Sequence, residues 1–239
     1  LPLQEEYMKT AILQSNYIPW KGVFDMINMV DTFVFLEDVD FTKRDWRTRN
    51  KIKSKNGDIW LRVPVKKSPR GTKIYEIEID LNGWQEKHYR SITMSYAQSD
   101  HFKSYVDLLE HVYVERQWKS LSEMNQFIIK SIAALLNIET VFMNSVSLGS
   151  EGKADDKLID ICKKLGATHY LSGPAAKNYI CPNKFMENDI RLEYIVYDYP
   201  EYPQPFGEFD HYVSVLDVLF NCGGQSAEYI FQGKKEIVF

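Results

Sequence analysis

The sequence predicts an α/β protein: a mainly parallel, Rossmann-like sheet flanked by helices, with a β-hairpin insertion and a helical segment. Short apolar runs alternate with helix-period segments along the chain, which argues for layered strands and helices. The first of these runs, Thr10-Ala11-Ile12-Leu13, precedes a stretch in which Phe24, Ile27, Met29 and Val30 recur at roughly helical spacing, then a second run, Thr32-Phe33-Val34-Phe35-Leu36. Such a β-α-β unit makes a parallel pair, and ligands of such sheets sit at the carboxyl ends of the strands. The loops after both strands are chemically unusual: Gln14-Ser15-Asn16-Tyr17-Ile18-Pro19-Trp20-Lys21-Gly22, and Glu37 through Asn50 with Thr42-Lys43-Arg44-Asp45-Trp46-Arg47-Thr48-Arg49.

The remaining elements follow in order. Ile59 to Val65 and Ile74 to Leu81 read as strands joined by the turn Ser68-Pro69-Arg70-Gly71. A helix opens at Asn82 or Gly83 and runs to Tyr96, and Phe102 to Leu136 is mainly helical with a break near Arg116 to Lys119. Thr140-Val141-Phe142-Met143 is another strand. Lys153 to Leu165 is an amphipathic helix with Leu158, Ile161, Cys162 and Leu165 inward, ended by Gly166. His169-Tyr170-Leu171 is a strand before the turn Ser172-Gly173-Pro174, Arg191 to Val196 a final strand, and Val213 to Phe220 a short apolar helix. With no repeat, low-complexity tract or linker in view, residues 8–239 read as one α/β domain. Within it, 59–136 forms a hairpin-plus-helical subdomain, and 1–7 is an extension ahead of Met8.

Composition narrows the class. A chain of 239 residues can bury a sizeable core, and its 44% hydrophobic and 26% charged content is that of a soluble globular protein. No apolar run approaches the ~18 residues of a membrane span. Leu1 to Tyr7 lacks the basic and apolar regions of a signal peptide. Cys162, Cys181 and Cys222, odd in number and far apart, fit reduced thiols, so a cytoplasmic location is expected. Net charge is −4, yet Lys43 to Lys73 holds 12 Lys or Arg against two acids, leaving −14 for the rest. That asymmetry predicts an anion-binding region. Lys51, Lys53 and Lys55 read as the solvated face of a hairpin. Lys43, Arg44, Arg47 and Arg49, packed around Trp46, read as phosphate or carboxylate ligands, because guanidinium groups bind both bidentately.

Several blocks resemble the WbqC family of bacterial and archaeal proteins: Gln14 to Gly22, Phe35-Leu36-Glu37-Asp38-Val39, Thr42 to Asn50, Val63-Pro64-Val65-Lys66-Lys67, Trp84-Gln85-Glu86-Lys87-His88, Gly166 to Pro174, and Glu201-Tyr202-Pro203-Gln204 with Gly207-Glu208-Phe209. The family's first block usually reads His-Gln-Pro-Asn-Tyr, whereas here it is Leu13-Gln14-Ser15-Asn16-Tyr17, without the histidine. The resemblance implies a role in surface-polysaccharide (O-antigen-type) biosynthesis, and association with enzymes of that route. The strand–loop–helix–strand order also resembles the nucleotidyltransferase-like fold. That superfamily's His-x-Gly-His signature is missing here, and the analogy concerns fold alone.

The candidate residues each carry two readings. Gln14 and Asn16 offer amides to a ligand or cap the following helix, while Tyr17, Pro19 and Trp20 either bind or fix the loop on the core. Trp46 stacks on a base or sugar, or packs inward. Asp38, Asp40 and Asp45 are acid–base groups or turn carboxylates paired with arginine, and Asp38 or Asp45 could hold a Mg²⁺ that accompanies a phosphorylated ligand. His88 is the histidine best suited to general acid–base work, or else a structural one. Ser172 and Gly173 present a hydroxyl and backbone N–H groups to an anion, with Lys177 in reach and Lys66 as a further cation. Glu208 lies in an aromatic–acidic loop that is either a lid or a rigid surface segment. No histidine or cysteine spacing suits zinc, and no Gly-x-Ser-x-Gly elbow supports a serine nucleophile. The resulting expectation is a transferase acting on a nucleotide-linked sugar or a related phosphorylated small molecule. The residues do not fix whether acyl, aminoacyl or nucleotidyl groups move. Two other readings stand beside it: a nucleic-acid-binding module using 43–73 with Trp46 and Trp60, disfavoured by the pI near 5.8, and a non-catalytic partner of polysaccharide enzymes.

Overall fold

The structure, a computed structural model, describes residues 7–238; the extension expected at 1–7 lies outside them except for Tyr7. A six-stranded sheet forms the centre, built from β1 (Lys9–Leu13), β2 (Thr32–Phe35), β5 (Val141–Asn144), β6 (His169–Ser172), β7 (Arg191–Ile195) and β8 (Lys235–Ile237). Their spatial order is β5-β2-β1-β6-β7-β8; every neighbouring pair is parallel except β7 with β8.

Strand periodicity decides which side chain joins which layer. Ala11, Phe33 and Leu171 face one side, packing against α1 (Lys21–Asn28), α2 (Trp84–Tyr96), α4 (Leu121–Leu135) and α8 (Val215–Cys222). Their chain neighbours Ile12, Val34 and Tyr170 face the other side, against α6 (Asp155–Leu165) and α7 (Pro182–Met186). The crossover from β1 to β2 therefore uses one face, and those from β5 to β6 and β6 to β7 use the other. Progression along the sheet reverses between β1 and β6, the topological switch point where ligands of doubly wound sheets bind. Gly166 ends α6 at φ 68°, a conformation that costs glycine nothing. α3 (Val106–Glu110) runs into a π-helical turn ending at Glu115, so the break near Arg116 falls where expected. Among the described residues no helix is long and apolar enough to cross a membrane.

Three expectations are corrected. The hairpin is β3 (Arg49–Ile52) with β4 (Ile59–Arg62), not 59–65 with 74–81. Ser54 and Gly57 exchange backbone hydrogen bonds of 3.1 Å around Lys55-Asn56, with Gly57 at φ 103°. An Asn-Gly pair is a strong hairpin signal and outweighs the Pro69-containing turn. Ile74–Glu76 is a 3₁₀ turn, while Val65 still bridges Ile79 in antiparallel fashion. Next, β7 is not the last strand: β8 closes the sheet at an edge where Lys235 and Glu236 leave no apolar run to read. Finally, of Lys51, Lys53 and Lys55 only Lys55 is exposed. Lys51 pairs with Asp58 and Asp210 at 2.7 and 2.5 Å. Lys53 is buried, bonding Gln204 Oε1 at 2.8 Å and the Glu208 carbonyl, because the segment after β7 folds back over β3.

Candidate functional site

Three loops at the carboxyl edge of the sheet enclose a pocket of about 180 Å³, lined by Asn16, Pro19, Trp20, Trp46, Asn50 and Tyr212. The loop after β1 supplies the first three, the loop after β2 and the start of β3 supply Trp46 and Asn50, and the strap after β7 supplies Tyr212. Backbone bonds join the three: Tyr17 N–H donates to the Trp46 carbonyl at 2.9 Å, Val215 N–H to Pro19 at 2.9 Å, and Ser214 N–H to Lys51 at 2.9 Å.

The floor is strained. Ile18 sits at φ 35°, unfavourable for a β-branched residue and more so before Pro19. Asn50, buried, holds it by donating from Nδ2 to the Ile18 carbonyl at 2.8 Å. Trp20 folds back over the first turn of α1, where a Cβ on Gly22 would lie 2.5 Å from its ring, so only glycine fits there. The edges of Tyr197 and Tyr199 meet Trp20 at 4.7 and 5.8 Å, and Tyr212 lies tilted beside it at 5.9 Å. Trp46 is half exposed and packs at 5.9 Å from Trp60. Among the described residues no charged side chain lines the pocket, and Asn16 is the lining amide not committed to a backbone partner. The arrangement can stack and hydrogen-bond one neutral ring.

The strap is held by lysines. Lys21, next to Trp20, is buried with its ammonium 3.5 Å from the Pro200 carbonyl and over the rings of Tyr199, Tyr202 and Phe209. Burial lowers its pKa to about 8, against the opposing pull of Asp217. Lys53 fixes Gln204, and Gln204 donates to Asp217, a fully buried carboxylate that also accepts from Tyr96 and Tyr202 at 2.7 Å each.

The structure brings some of the expected residues to this pocket and not others. Asn16 and Trp46 line it. Lys43 and Arg44 are exposed on the loop that carries Trp46, with Arg44 at φ 62°, and Gln14 is half-buried directly after β1. The guanidinium of Arg49 lies 5.0 Å from the Trp60 ring centre. Ser172 is buried beneath Gly173, whose nearest neighbour on the side-chain side is the Tyr197 hydroxyl. Tyr17 and His88 are core residues. The Tyr17 hydroxyl bonds His88 Nδ1 at 2.7 Å and the Tyr113 hydroxyl at 2.6 Å, and burial lowers the His88 pKa to about 4. Lys66 pairs with Glu78, and Lys177 with Glu236, both at 2.5 Å and away from the pocket.

The carboxylates are mostly engaged. Asp45 pairs with Arg47 at 2.5 Å. Asp38 meets Lys157 at 2.6 Å and Ser145 at 2.5 Å; burial alone would raise its pKa, but these partners hold it below the ordinary value. With those oxygens taken, neither residue fits a protein-held Mg²⁺, and among the described residues no group of three or more His, Cys, Asp or Glu is placed to hold a metal. Glu208 is exposed on the strap, its side chain without an ion-pair or hydrogen-bond partner among the described residues.

Sequence reasoning passed over Asn50, Tyr212 and Glu37. Asn50 ends a block read for its arginines, and Tyr212 is one aromatic in a segment without strand or helix period. Glu37 is fully buried and accepts from Ser15 N–H at 2.8 Å. Its other oxygen, with Ser15 Oγ, Arg47 Nε and Asn125 Oδ1, is buried without a partner among the described residues. Burial raises the Glu37 pKa, with nearby Ser122, the Ser15 N–H and Arg47 pulling the other way. This polar cluster ties the first loop to the end of β2 and to α4.

These features define a doubly wound α/β protein with a ring-sized aromatic pocket built from the loops after β1, β2 and β7. The chain belongs to the WbqC-like protein family, whose sequence profile matches residues 14–229. It is 40% identical over 224 residues to the uncharacterized protein Rv1507c of Mycobacterium tuberculosis (strain ATCC 25618 / H37Rv), covering 93% of this chain and 97% of the relative. No solved structure matches it.

Proposed function

We propose that the protein is a transferase acting on a nucleotide-linked sugar or a related phosphorylated small molecule in surface-polysaccharide biosynthesis. The observation that carries this reading is the aromatic pocket with one uncommitted amide, Asn16, at the carboxyl edge of the sheet. Aromatic walls and an amide suit a sugar or base ring, and Lys43 and Arg44 stand on the same loop for attached phosphates. The polysaccharide setting comes from the family resemblance. Of the acid–base candidates, Glu208 is the one left uncommitted: His88 is buried in its neutral form, and Asp38 and Asp45 are ion-paired. Any Mg²⁺ would arrive with the phosphates of the substrate.

A thermal-shift series with sugar nucleotides, with and without Mg²⁺, tests the reading, because a ligand that binds only the folded state raises its melting temperature. Sugar nucleotides should raise Tm in the wild type and fail to do so in Trp46→Ala. A shift by single-stranded oligonucleotides alone would favour the nucleic-acid reading, for which the exposed Trp46–Trp60 pair beside arginines is the supporting feature.

A further inference from the structure

The hairpin alternates cleanly. Asn50, Ile52 and Leu61 are buried on one face, and Arg49, Lys51, Trp60 and Arg62 share the other. In register, Arg49 stands directly opposite Arg62, and Lys51 opposite Trp60. Like charges facing one another across an antiparallel pair are destabilising. Lys51 is neutralised by Asp58 and Asp210. Among the described residues neither arginine has a carboxylate at ion-pair distance, whereas Arg47, Lys66 and Lys73 of the same basic segment each have one. Two facing cations have therefore been left uncompensated beside an indole that is 49% exposed.

This face adjoins the pocket at Trp46, while Asn50 on the opposite face of the hairpin lines it directly. Trp46 is a pocket wall, Trp60 packs 5.9 Å from it, and the Arg49 guanidinium lies over Trp60 at 5.0 Å. At about 180 Å³ the pocket is smaller than the roughly 300–1,000 Å³ of sites that enclose a whole small ligand. It takes one ring, so the rest of a larger ligand lies outside it, and the Trp46–Trp60 pair is one surface it can follow.

We propose that Arg49 and Arg62 form a diphosphate clasp and Trp60 a nucleobase platform, so that the hairpin face binds the nucleoside-diphosphate half of a ligand whose sugar ring occupies the pocket. The proposal rests on the reading of the pocket given above. Two arginines opposite each other in register on one face suit two linked phosphoryl groups better than one, since a guanidinium fork binds bidentately. A polymer fits less well: the protein carries a net charge of −4, and Lys66 and Lys73, which would extend the track, are already paired.

Calorimetric titration with inorganic pyrophosphate, orthophosphate, UDP and UDP-glucose tests the clasp at fixed ionic strength. Pyrophosphate should bind at least about tenfold tighter than orthophosphate, and Arg62→Gln or Arg49→Gln should remove about that factor. Trp60→Ala should spare pyrophosphate and weaken UDP about tenfold. Without ligand, Arg62→Gln should melt about 1–3 °C higher than wild type, because it relieves the facing charges. An arginine kept for stability would give the opposite sign. Pyrophosphate affinity unchanged in Arg62→Gln overturns the clasp whatever the pocket does. UDP-glucose binding no tighter than UDP, with the clasp intact, overturns the pocket reading instead. A dT10 oligonucleotide weakened equally by Arg62→Gln, Lys67→Ala and Arg70→Ala would replace the diphosphate with a single strand.

Discussion

His88 illustrates how burial reassigns a residue that its type makes attractive. A histidine with an ordinary pKa near neutrality suits proton transfer, but here the ring is enclosed by Trp84 and Tyr113 and bonded to Tyr17. Its pKa falls from 6.5 to about 4, so the unfolded chain takes up a proton that the folded one refuses between those values. Stability is thus complete above pH 6.5 and is lost as pH falls towards 4, by up to about 3 kcal/mol from this group. Denaturant titrations from pH 7 to 4 should show this slope in the wild type and a flatter one in His88→Gln, which keeps a partner for Tyr17; parallel slopes would reject the assignment. Asn50 belongs to the same scale. It alone among the pocket residues restrains the strained Ile18 peptide with a side chain, at 2.8 Å. Asn50→Ala should cost about 2 kcal/mol, a fall of roughly 4–8 °C in Tm, and should loosen the pocket as well. A variant that melts normally would show that the left-handed Ile18 is held by something else.

Among the elements, the strap from residue 197 to 212 was the least legible. Its aromatics Tyr197, Tyr199, Tyr202, Phe209 and Tyr212 follow no period, because they are arranged around Trp20 and Lys21 and not around a strand or helix axis. The lysines of β3 misled for a related reason. Alternation correctly places Lys51 opposite the buried face, yet it cannot say that a later segment covers it, a long-range contact invisible in a local window. By contrast, the β-α-β unit and the amphipathic helix before Gly166 were readable, since each is fixed by contacts within its own stretch and by one buried face. Lys53 bonds both Gln204 and the Glu208 carbonyl, so Lys53→Ala should speed proteolytic cleavage within 203–208 severalfold and lower Tm by a few degrees, because a lost charge-assisted bond costs on the order of 2 kcal/mol. Unaltered digestion kinetics would show that Lys21 and Lys51 suffice.

Across the whole molecule, topology and charge set where a ligand can act. The loops after β1, β2 and β7 meet at the carboxyl edge of the sheet, so both motif-bearing loops near the start of the chain reach a segment almost two hundred residues later. The strand order needed for that meeting is a tertiary fact; the presence of polar loops at strand ends was the part the sequence disclosed. Charge is divided in the same way, with +10 on residues 43–73 and −14 elsewhere. A small anion can use the basic side and avoid the acidic remainder, whereas a long polyanion must pass over both. The molecule should therefore bind dT10 more weakly than about 10⁻⁴ M at physiological salt, the weak end of non-specific nucleic-acid affinity. Whatever binding appears at low salt should fall with a slope of log Kd against log salt of about 3 at most, set by the uncompensated Lys43, Arg44, Arg49 and Arg62 around Trp46 and Trp60, since single strands contribute about 0.7 per neutralised phosphate. A slope of 4 or more would mean that six or so cations contact the strand together, and the pocket would then be the end of a nucleic-acid track and not a sugar site.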